Sequence, residues 1–387
     1  MSRFMIFHKA LCERQSLSQF RGFGLVELMI ALALGTVIIL GVTTLFSDSS
    51  RTLNDITRAG RQLENSLYAM DLLAKELALV DYWGEANAPV DADDPAYGPL
   101  RASELNGLEI SNYPQVPPLC AGTGATGFDP RVELAWAMEY PLLAGLGSEV
   151  LGSQVDTAAG DSSCKGVGSA PSGTAAYFAV RRASTCAVGD EEGSKEICRG
   201  ADDFFYMQTN GCYDENKGLS GGEVKLYQLD TSTFPGGLDY TRYSCESTDA
   251  APIYRYVSRI YYVNASDQLV RLVLDHPANG SLGYRQEVLV DGVEELQFEW
   301  FIDDTGDGQY NRVDTTLAYE DAVNVIGAKI WLMVRSSRER PGYMDDEGRA
   351  FYTIAGKQWQ VPEGMLDYPR TLQSRMVNLP NRVGRRR

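Results

Sequence analysis

The sequence predicts an α+β protein. A long N-terminal helix, membrane-spanning in its first half, packs on a mostly antiparallel β-sheet head with a disulfide-rich loop region. Three observations predict this. An apolar run over residues 23–46 continues, without a proline, into an amphipathic segment that ends near residue 82. The last part of the chain, residues 252–387, is a succession of alternating, aromatic-rich segments separated by turn residues. Between them, residues 83–251 are rich in Gly, Ser, Asp and Pro and hold six of the seven cysteines.

Composition narrows the function class. Lys and Arg number 35 against 52 Asp and Glu, a formal net charge of −17. Such a surface repels phosphates, which argues against nucleic-acid binding and fits a secreted or periplasmic protein.

The N-terminus reads as a basic lead-in and a span. Residues 1–22 carry Arg3, Lys9, Arg14 and Arg21 against the single acid Glu13. The apolar residues 23–46 make about 36 Å of helix, enough to cross a bilayer with some tilt. The positive-inside rule keeps the lead-in cytoplasmic and puts the rest of the chain outside. Glu27 does not fit a plain anchor, because a lone carboxylate in lipid costs about 2.5–3.5 kcal/mol on insertion scales. A cleaved secretory signal would have a shorter apolar core and an A-x-A-like site, and none follows Leu34. A simple signal anchor explains everything but Glu27.

Gly22-Phe23-Gly24-Leu25-Val26-Glu27-Leu28 resembles the prepilin cleavage motif of type IV pilins and type II secretion pseudopilins. The resemblance implies cleavage between Gly22 and Phe23 by a prepilin peptidase, N-methylation of Phe23, and an assembly role for Glu27. In the filament, the Phe23 amine of one subunit would pair with the Glu27 carboxylate of a neighbour, which makes a buried charge tolerable. Gly24 departs from the family pattern, where a threonine or similar residue is usual.

Beyond the span, residues 47–82 read as a continuation of the same helix. Leu53, Ile56, Gly60, Leu63, Leu67, Met70, Ala74 and Leu77 recur at alternating steps of three and four, a helical seam expected to lie against the head. Tyr82-Trp83-Gly84 is the expected end.

Cys120, Cys164, Cys186, Cys198, Cys212 and Cys245 form an even set downstream of an export signal, which reads as three disulfides in an oxidising compartment. The sequence does not choose among the pairings. We favour Cys186–Cys198, closing a short acidic loop, and Cys212–Cys245. There is no CxxC to suggest zinc. Short strands are expected at 108–110, 175–181 and 224–229, stapled by disulfides around a thin core. From residue 252 the strand signals sharpen. IYRYVSRIYYVNASDQLVRLVLD reads as strand, turn at Asn264–Asp267, strand; YRQEVLVDGVEELQFEWFI, GAKIWLMVRSS and FYTIAGKQW follow.

VLVDGVEELQFEWFIDDTGDG, WLMVRSS and the terminal YPRTLQSRMVNLPNR resemble the PilW-type minor pilin, itself related to the J-type pseudopilin of type II secretion. Arg370 and Met376-Val377-Asn378-Leu379 match the family's ending, and Pro380 replaces an arginine before Asn381. The resemblance covers the N-terminal helix and roughly the last 140 residues. It implies a non-enzymatic protein that helps to prime type IV pilus assembly in a minor-pilin complex at the pilus tip. The implied partners are other minor pilins, the major pilin, the prepilin peptidase, a tip adhesin and the inner-membrane assembly machinery. The implied locations are the inner membrane, single-pass with a periplasmic C-terminus, before assembly, and the extracellular pilus afterwards. Two alternatives remain: a J-type pseudopilin of a secretion system, and a membrane-anchored periplasmic binding module that never polymerises.

Asp303-Asp304-Thr305-Gly306-Asp307-Gly308-Gln309-Tyr310-Asn311-Arg312-Val313-Asp314 resembles a calcium loop, with oxygen donors at Asp303, Thr305, Asp307, Gln309, Asn311 and Asp314. An acidic, glycine-rich hairpin turn explains the same residues. Asn264-Ala265-Ser266 and Asn279-Gly280-Ser281 fit N-x-S but read as turn chemistry. For catalysis, His276 is the one histidine beyond the lead-in, and there is no P-loop and no H-E-x-x-H. The basic ending Arg382, Arg385, Arg386 and Arg387 reads as a solvated tail.

Overall fold

A computed structural model describes residues 24–84, 117–123, 130–147, 164, 171–188, 204–214, 219–220, 224–229, 240–242, 244–246, 248–275, 283–340 and 351–385. The expected strand at 108–110, the leader with Gly22 and Phe23, Cys198 and His276 lie outside the described residues. The chain divides into two compact units, Met1–Arg58 and Ala59–Arg387.

Helix α1 (Leu25–Ala78) is one uninterrupted helix of 54 residues. Among the described residues it is the one helix long and apolar enough to cross a membrane. In the first unit its apolar side chains stand in the open, from Leu25 to Phe46, both 76% exposed. Its hydroxyls are satisfied locally: Thr36 donates to the Ala33 carbonyl at 2.8 Å, and Thr44 to Gly41 at 2.9 Å. A hydroxyl bonded back to its own helix is tolerable in lipid.

In the second unit, α1 buries Gln62, Ser66, Ala69, Met70, Leu73, Ala74, Glu76 and Leu77. The predicted seam is therefore only half right. Met70, Ala74 and Leu77 face the head, but Leu63 and Leu67 remain 48 and 55% exposed. A stripe repeating every 3.5 residues drifts by about 20° per heptad on a helix of 3.6 residues per turn, so it rotates away from the head-facing side. Polar Gln62 and Ser66 take that side instead. The helix ends at Ala78, short of the expected Tyr82-Trp83-Gly84. Asp81 takes φ 63°, and its carboxylate accepts the Trp83 indole N–H at 2.6 Å.

Two antiparallel sheets follow. The larger runs β1 (Leu142–Leu146), β2 (Ala176–Ala187), β7 (Ile253–Val263), β3 (Phe204–Thr209), β6 (Val224–Leu229). β8 (Gln268–Asp275) also pairs with β7, and β9 (Gly283–Asp291) with β8. One edge of β7 bonds β2; the other is shared between β3 and β8. β4 (Tyr213–Asp214) and β5 (Leu219–Ser220) form a separate small hairpin. The smaller sheet has the order β11 (Arg312–Asp314), β10 (Val293–Ile302), β12 (Val325–Arg335), β15 (Arg370–Asn378). A short helix, α3 (Pro380–Arg385), ends it.

The strand–turn–strand reading of 253–275 matches β7 and β8, and Asp267 in the turn takes φ 56°. Two other segments break where one strand signal was expected. Gly292, at φ 81°, separates β9 from β10 and sends the chain from one sheet to the other; a Cβ there would sit 2.6 Å from the Arg335 carbonyl. FYTIAGKQW is a hairpin of β13 (Phe351–Ile354) and β14 (Lys357–Gln360), turned at Ala355 and Gly356. Both turn residues have positive φ, the pattern of a tight hairpin turn.

One core lies between α1 and both sheets, joining Leu73 and Leu77 to Phe178, Tyr261, Phe298, Trp300 and Ile330. Phe178 stacks on Tyr261 at 5.0 Å and meets Phe298 edge-on at 5.3 Å. A second core covers the other face of the larger sheet, with α2 (Pro130–Met138), Trp83, Leu119, Tyr177, Tyr256 and Tyr262. The alternation of β2 serves both: Phe178 and Val180 point to the first, Tyr177 and Ala179 to the second.

This corrects the expectation of a thin core in 83–251. The segment supplies the twelve-residue β2 and most of the second core, and the larger sheet runs straight across residue 251. Buried Arg181 pins its irregular part, donating to the carbonyls of Tyr140, Pro118 and Leu119 at 2.8, 3.0 and 3.3 Å. Disulfides join Cys120 to Cys164 and Cys212 to Cys245. Cys186 is also disulfide-bonded.

Candidate assembly site

Gly24 is the last residue before the first helical turn of α1, and Glu27 stands in that turn. The Gly24 N–H donates to Glu27 Oε2 at 3.2 Å, and the Gly24 carbonyl accepts the Leu28 N–H at 3.1 Å. This is half of a capping box: an acidic side chain reaches back to an otherwise orphaned N–H at a helix start, where the macrodipole favours negative charge. Glu27 is exposed, with the apolar side chains of Leu25, Val26, Leu28 and Met29 around it also exposed. A carboxylate so placed can exchange a local bond for an ammonium partner. Gly22 and Phe23, the expected processing residues, fall outside the described residues.

In the second unit, polar ties fasten α1 to the head. Gln62 Nε2 donates to the Val334 carbonyl at 2.8 Å and to Thr371 Oγ1 at 3.1 Å. Glu76 is buried, and its Oε1 accepts from Arg182 of β2 at 3.3 Å and from Arg259 of β7. Burial pulls the Arg182 pKa down, and the nearby Glu76 charge opposes that pull. Asn381 donates to the carbonyls of Val80 and Ala78 at 3.0 and 3.4 Å, capping the end of the helix.

Behind these ties the smaller sheet is locked by Glu294. Arg370 grips it in two parallel bonds of 2.6 and 2.9 Å, and Arg335 approaches it at 3.0 Å. Arg370 also donates to the Met365 and Tyr368 carbonyls at 2.7 and 2.9 Å. A planar guanidinium suits this combined grip on carboxylate and backbone. The basic ending is not a solvated tail throughout. Arg382 is buried, donates to the Ala322 carbonyl and lies 3.7 Å from Asp81.

In the acidic loop, side-chain oxygens of the expected donor set turn to groups of the protein itself. Asp303 is fully buried, and its carboxylate accepts the backbone N–H groups of Thr305, Gly306 and Gly308 at 3.1, 2.7 and 2.9 Å. The Thr305 hydroxyl also turns to Asp303, at 3.1 Å. Asp307 accepts the Gln309 N–H, and Asn311 Oδ1 the Asp304 N–H. Asp314 pairs with Arg312, which also holds Asp304 at 3.2 Å and Asp321 at 2.7 Å. The Asp321 and Asp304 carboxylates raise the Arg312 pKa above its ordinary value. Of the six expected donors, Asp314 is the one that meets this guanidinium, and among the described residues no group of three or more His, Cys, Asp or Glu is arranged to hold a metal.

Two family models match the chain. The model of the type IV pilus-assembly protein W, PilW, matches residues 260–381, from β7 through β15 to Asn381. The prokaryotic N-terminal methylation motif matches residues 17–43, across Gly22, Phe23 and Glu27. The C-terminal part of the chain is thus similar to the PilW family, and its N-terminus carries a pilin-type methylation motif. Its pilin-type N-terminus ties it to the membrane and the pilus. Among solved structures, a type IV-like pilin from Thermus thermophilus matches at 14% identity and a TM-score of 0.25, over 55% of this chain and 81% of that one. No curated protein matches the chain.

Glu294, Arg335, Arg370 and Asn381 all lie inside the PilW match. Pro380, the departure from the family ending, opens α3, where its missing N–H costs nothing. Sequence reasoning missed Gln62 and Glu76. Glu76 had left a signal, because it sits one residue before Leu77 and three after Leu73, on the apolar side of α1.

Proposed function

We propose that this PilW-type protein takes part in priming type IV pilus assembly from the inner membrane, as a member of a minor-pilin complex at the pilus tip. The observation that carries the reading is Glu27: a carboxylate inside the methylation motif, on an exposed apolar helix, held among the described residues by the Gly24 N–H alone. Cleavage after Gly22 frees the amine of Phe23, which is then N-methylated. That amine pairs with Glu27 of the neighbouring subunit and so selects the axial register. The head stands in the periplasm before assembly and outside the cell afterwards. Its partners are the other minor pilins, the major pilin and a tip adhesin, and its role is structural rather than catalytic.

The test is the mass of the N-terminal peptide from cells with and without the prepilin peptidase, together with the presence of the protein in sheared pili. A peptide beginning at N-methylated Phe23, seen only with the peptidase, and recovery in pili are expected. An intact leader in both strains overturns the reading and leaves an anchored periplasmic module. A processed protein absent from pili and present in a secretion pseudopilus makes it a J-type subunit.

A further inference from the structure

Among the described residues, β15 is an outer strand of the smaller sheet, with no strand on its far edge. Towards β12, Leu379 N–H bonds the Ile326 carbonyl, and the Pro369 carbonyl accepts from Ser336. With the alternation of an antiparallel ladder, Leu372, Ser374 and Met376 therefore turn their N–H and C=O groups outward. Among the described residues nothing bonds to those groups. The strand is nine residues long, contains no proline, and is exposed at Ser374, Arg375 and Met376. Three other edges are blunted. β11 and β1 have three and five residues, and β9 carries the ion-paired Arg285 and Glu287.

The same side of the head leaves part of α1 bare. Leu63, Leu67 and Asp71 recur every fourth residue and share one face of the helix. Asp71 is paired with Arg375 of β15 at 3.3 Å, which places this face alongside β15. Leu63 and Leu67 are 48 and 55% exposed.

We infer that an extended segment of a partner protein adds to β15 as a fifth strand. It takes up the outward N–H and C=O groups of Leu372, Ser374 and Met376 and lays alternate apolar side chains over Leu63 and Leu67. A helix would cover the leucines but leave the strand's backbone groups unmet. A second copy of this chain is disfavoured, because each copy carries a formal charge of −17. The inference goes beyond the pilus role and does not depend on processing at Gly22, so the peptide-mass test and the one below fail separately.

The experiment places a photo-reactive benzoylphenylalanine at Met376, at Leu67 or, as a control, at Val288 of the full-length protein in cells that assemble pili. The expected result is capture at Met376 and Leu67 of the same strand segment of one partner. Ser374→Pro points its ring away from the β12 ladder and blocks the free edge. It should cut both captures by about tenfold or more while leaving thermal unfolding of the protein unchanged. Leu67→Lys, which leaves β15 untouched, should cut capture at Met376 as well and serves if Ser374→Pro does not fold. Capture of a helix, capture of a second copy of this chain, or no capture above the Val288 control overturns the inference.

Discussion

The side chain of Asn381 donates to the carbonyl of Val80 at 3.0 Å, so the end of the chain closes the end of its first helix. A helix leaves its last carbonyls without internal partners, and here the same side chain, three hundred positions away, also donates to the carbonyl of Ala78, the last helical residue, at 3.4 Å. Asn381→Ala should lower the stability of the full chain in detergent by about 1–2 kcal/mol, the usual cost of orphaning a half-buried acceptor. Asn381→Asp should cost more, because it sets a carboxylate against carbonyl oxygens. Denaturant unfolding of the three proteins measures it, and equal midpoints would show that the contact contributes nothing.

Glu76 and Asp71 stand on the same helix and both pair with arginines, but they differ in burial. Glu76 is buried against Arg182 and Arg259; Asp71 is exposed against Arg375. Glu76→Gln should cost about 3–5 kcal/mol, because it strands two guanidiniums in the interior. Asp71→Asn should leave stability within experimental error, as exposed pairs usually do. Similar losses in thermal or denaturant unfolding for the two variants would refute this ranking.

What was legible in the sequence follows from how local each signal is. The long apolar helix and the β7–β8 hairpin are written in contiguous residues, and the observed elements agree with them. The long seam on α1 misled because its heptad spacing records a stripe and not a partner: Met70 and Leu77 meet the head, whereas Leu63 and Leu67 do not. The break at Gly292 is a single residue whose backbone turns the chain between sheets. Arg382 reads as tail by its neighbours and is buried because Ala322 and Asp81, far off in sequence, converge on it. The acidic loop shows the same limit. Its spacing offers oxygen donors, but whether they turn outward to an ion or inward to backbone N–H groups depends on the fold around Asp303.

The loop therefore makes a prediction opposite to that of a calcium site. Millimolar Ca²⁺ should leave the melting temperature of the protein unchanged, because Arg312 already neutralises Asp304, Asp314 and Asp321. Arg312→Ala should lower the melting temperature, and Ca²⁺ should restore part of the loss in this variant alone. Thermal melts of both proteins with calcium and with a chelator decide it; stabilisation of the unaltered protein by Ca²⁺ would mean that the loop rearranges to bind it.

The buried tyrosines predict the alkaline limit of the fold. The Tyr284 hydroxyl donates to the Ala121 carbonyl at 3.2 Å and is bonded to the Ser258 hydroxyl at 2.7 Å, and burial pushes its pKa from 10.0 up to about 12. Tyr261, behind α1, is likewise pushed by burial to about 12. A folded-state pKa above the unfolded one means that the neutral phenol is what the fold prefers. Its contribution is complete below pH 10 and is lost as the pH rises to about 12, where the unfolded chain has given up protons that the folded one retains. The midpoint of denaturant unfolding should therefore fall steeply over that interval. Tyr284→Phe should lose about 1 kcal/mol at neutral pH with its two hydrogen bonds, yet show a shallower alkaline fall. Ultraviolet titration of phenolate, followed alongside unfolding, checks the assignment. Ionisation of all 21 tyrosines near pH 10 with the fold intact would contradict it.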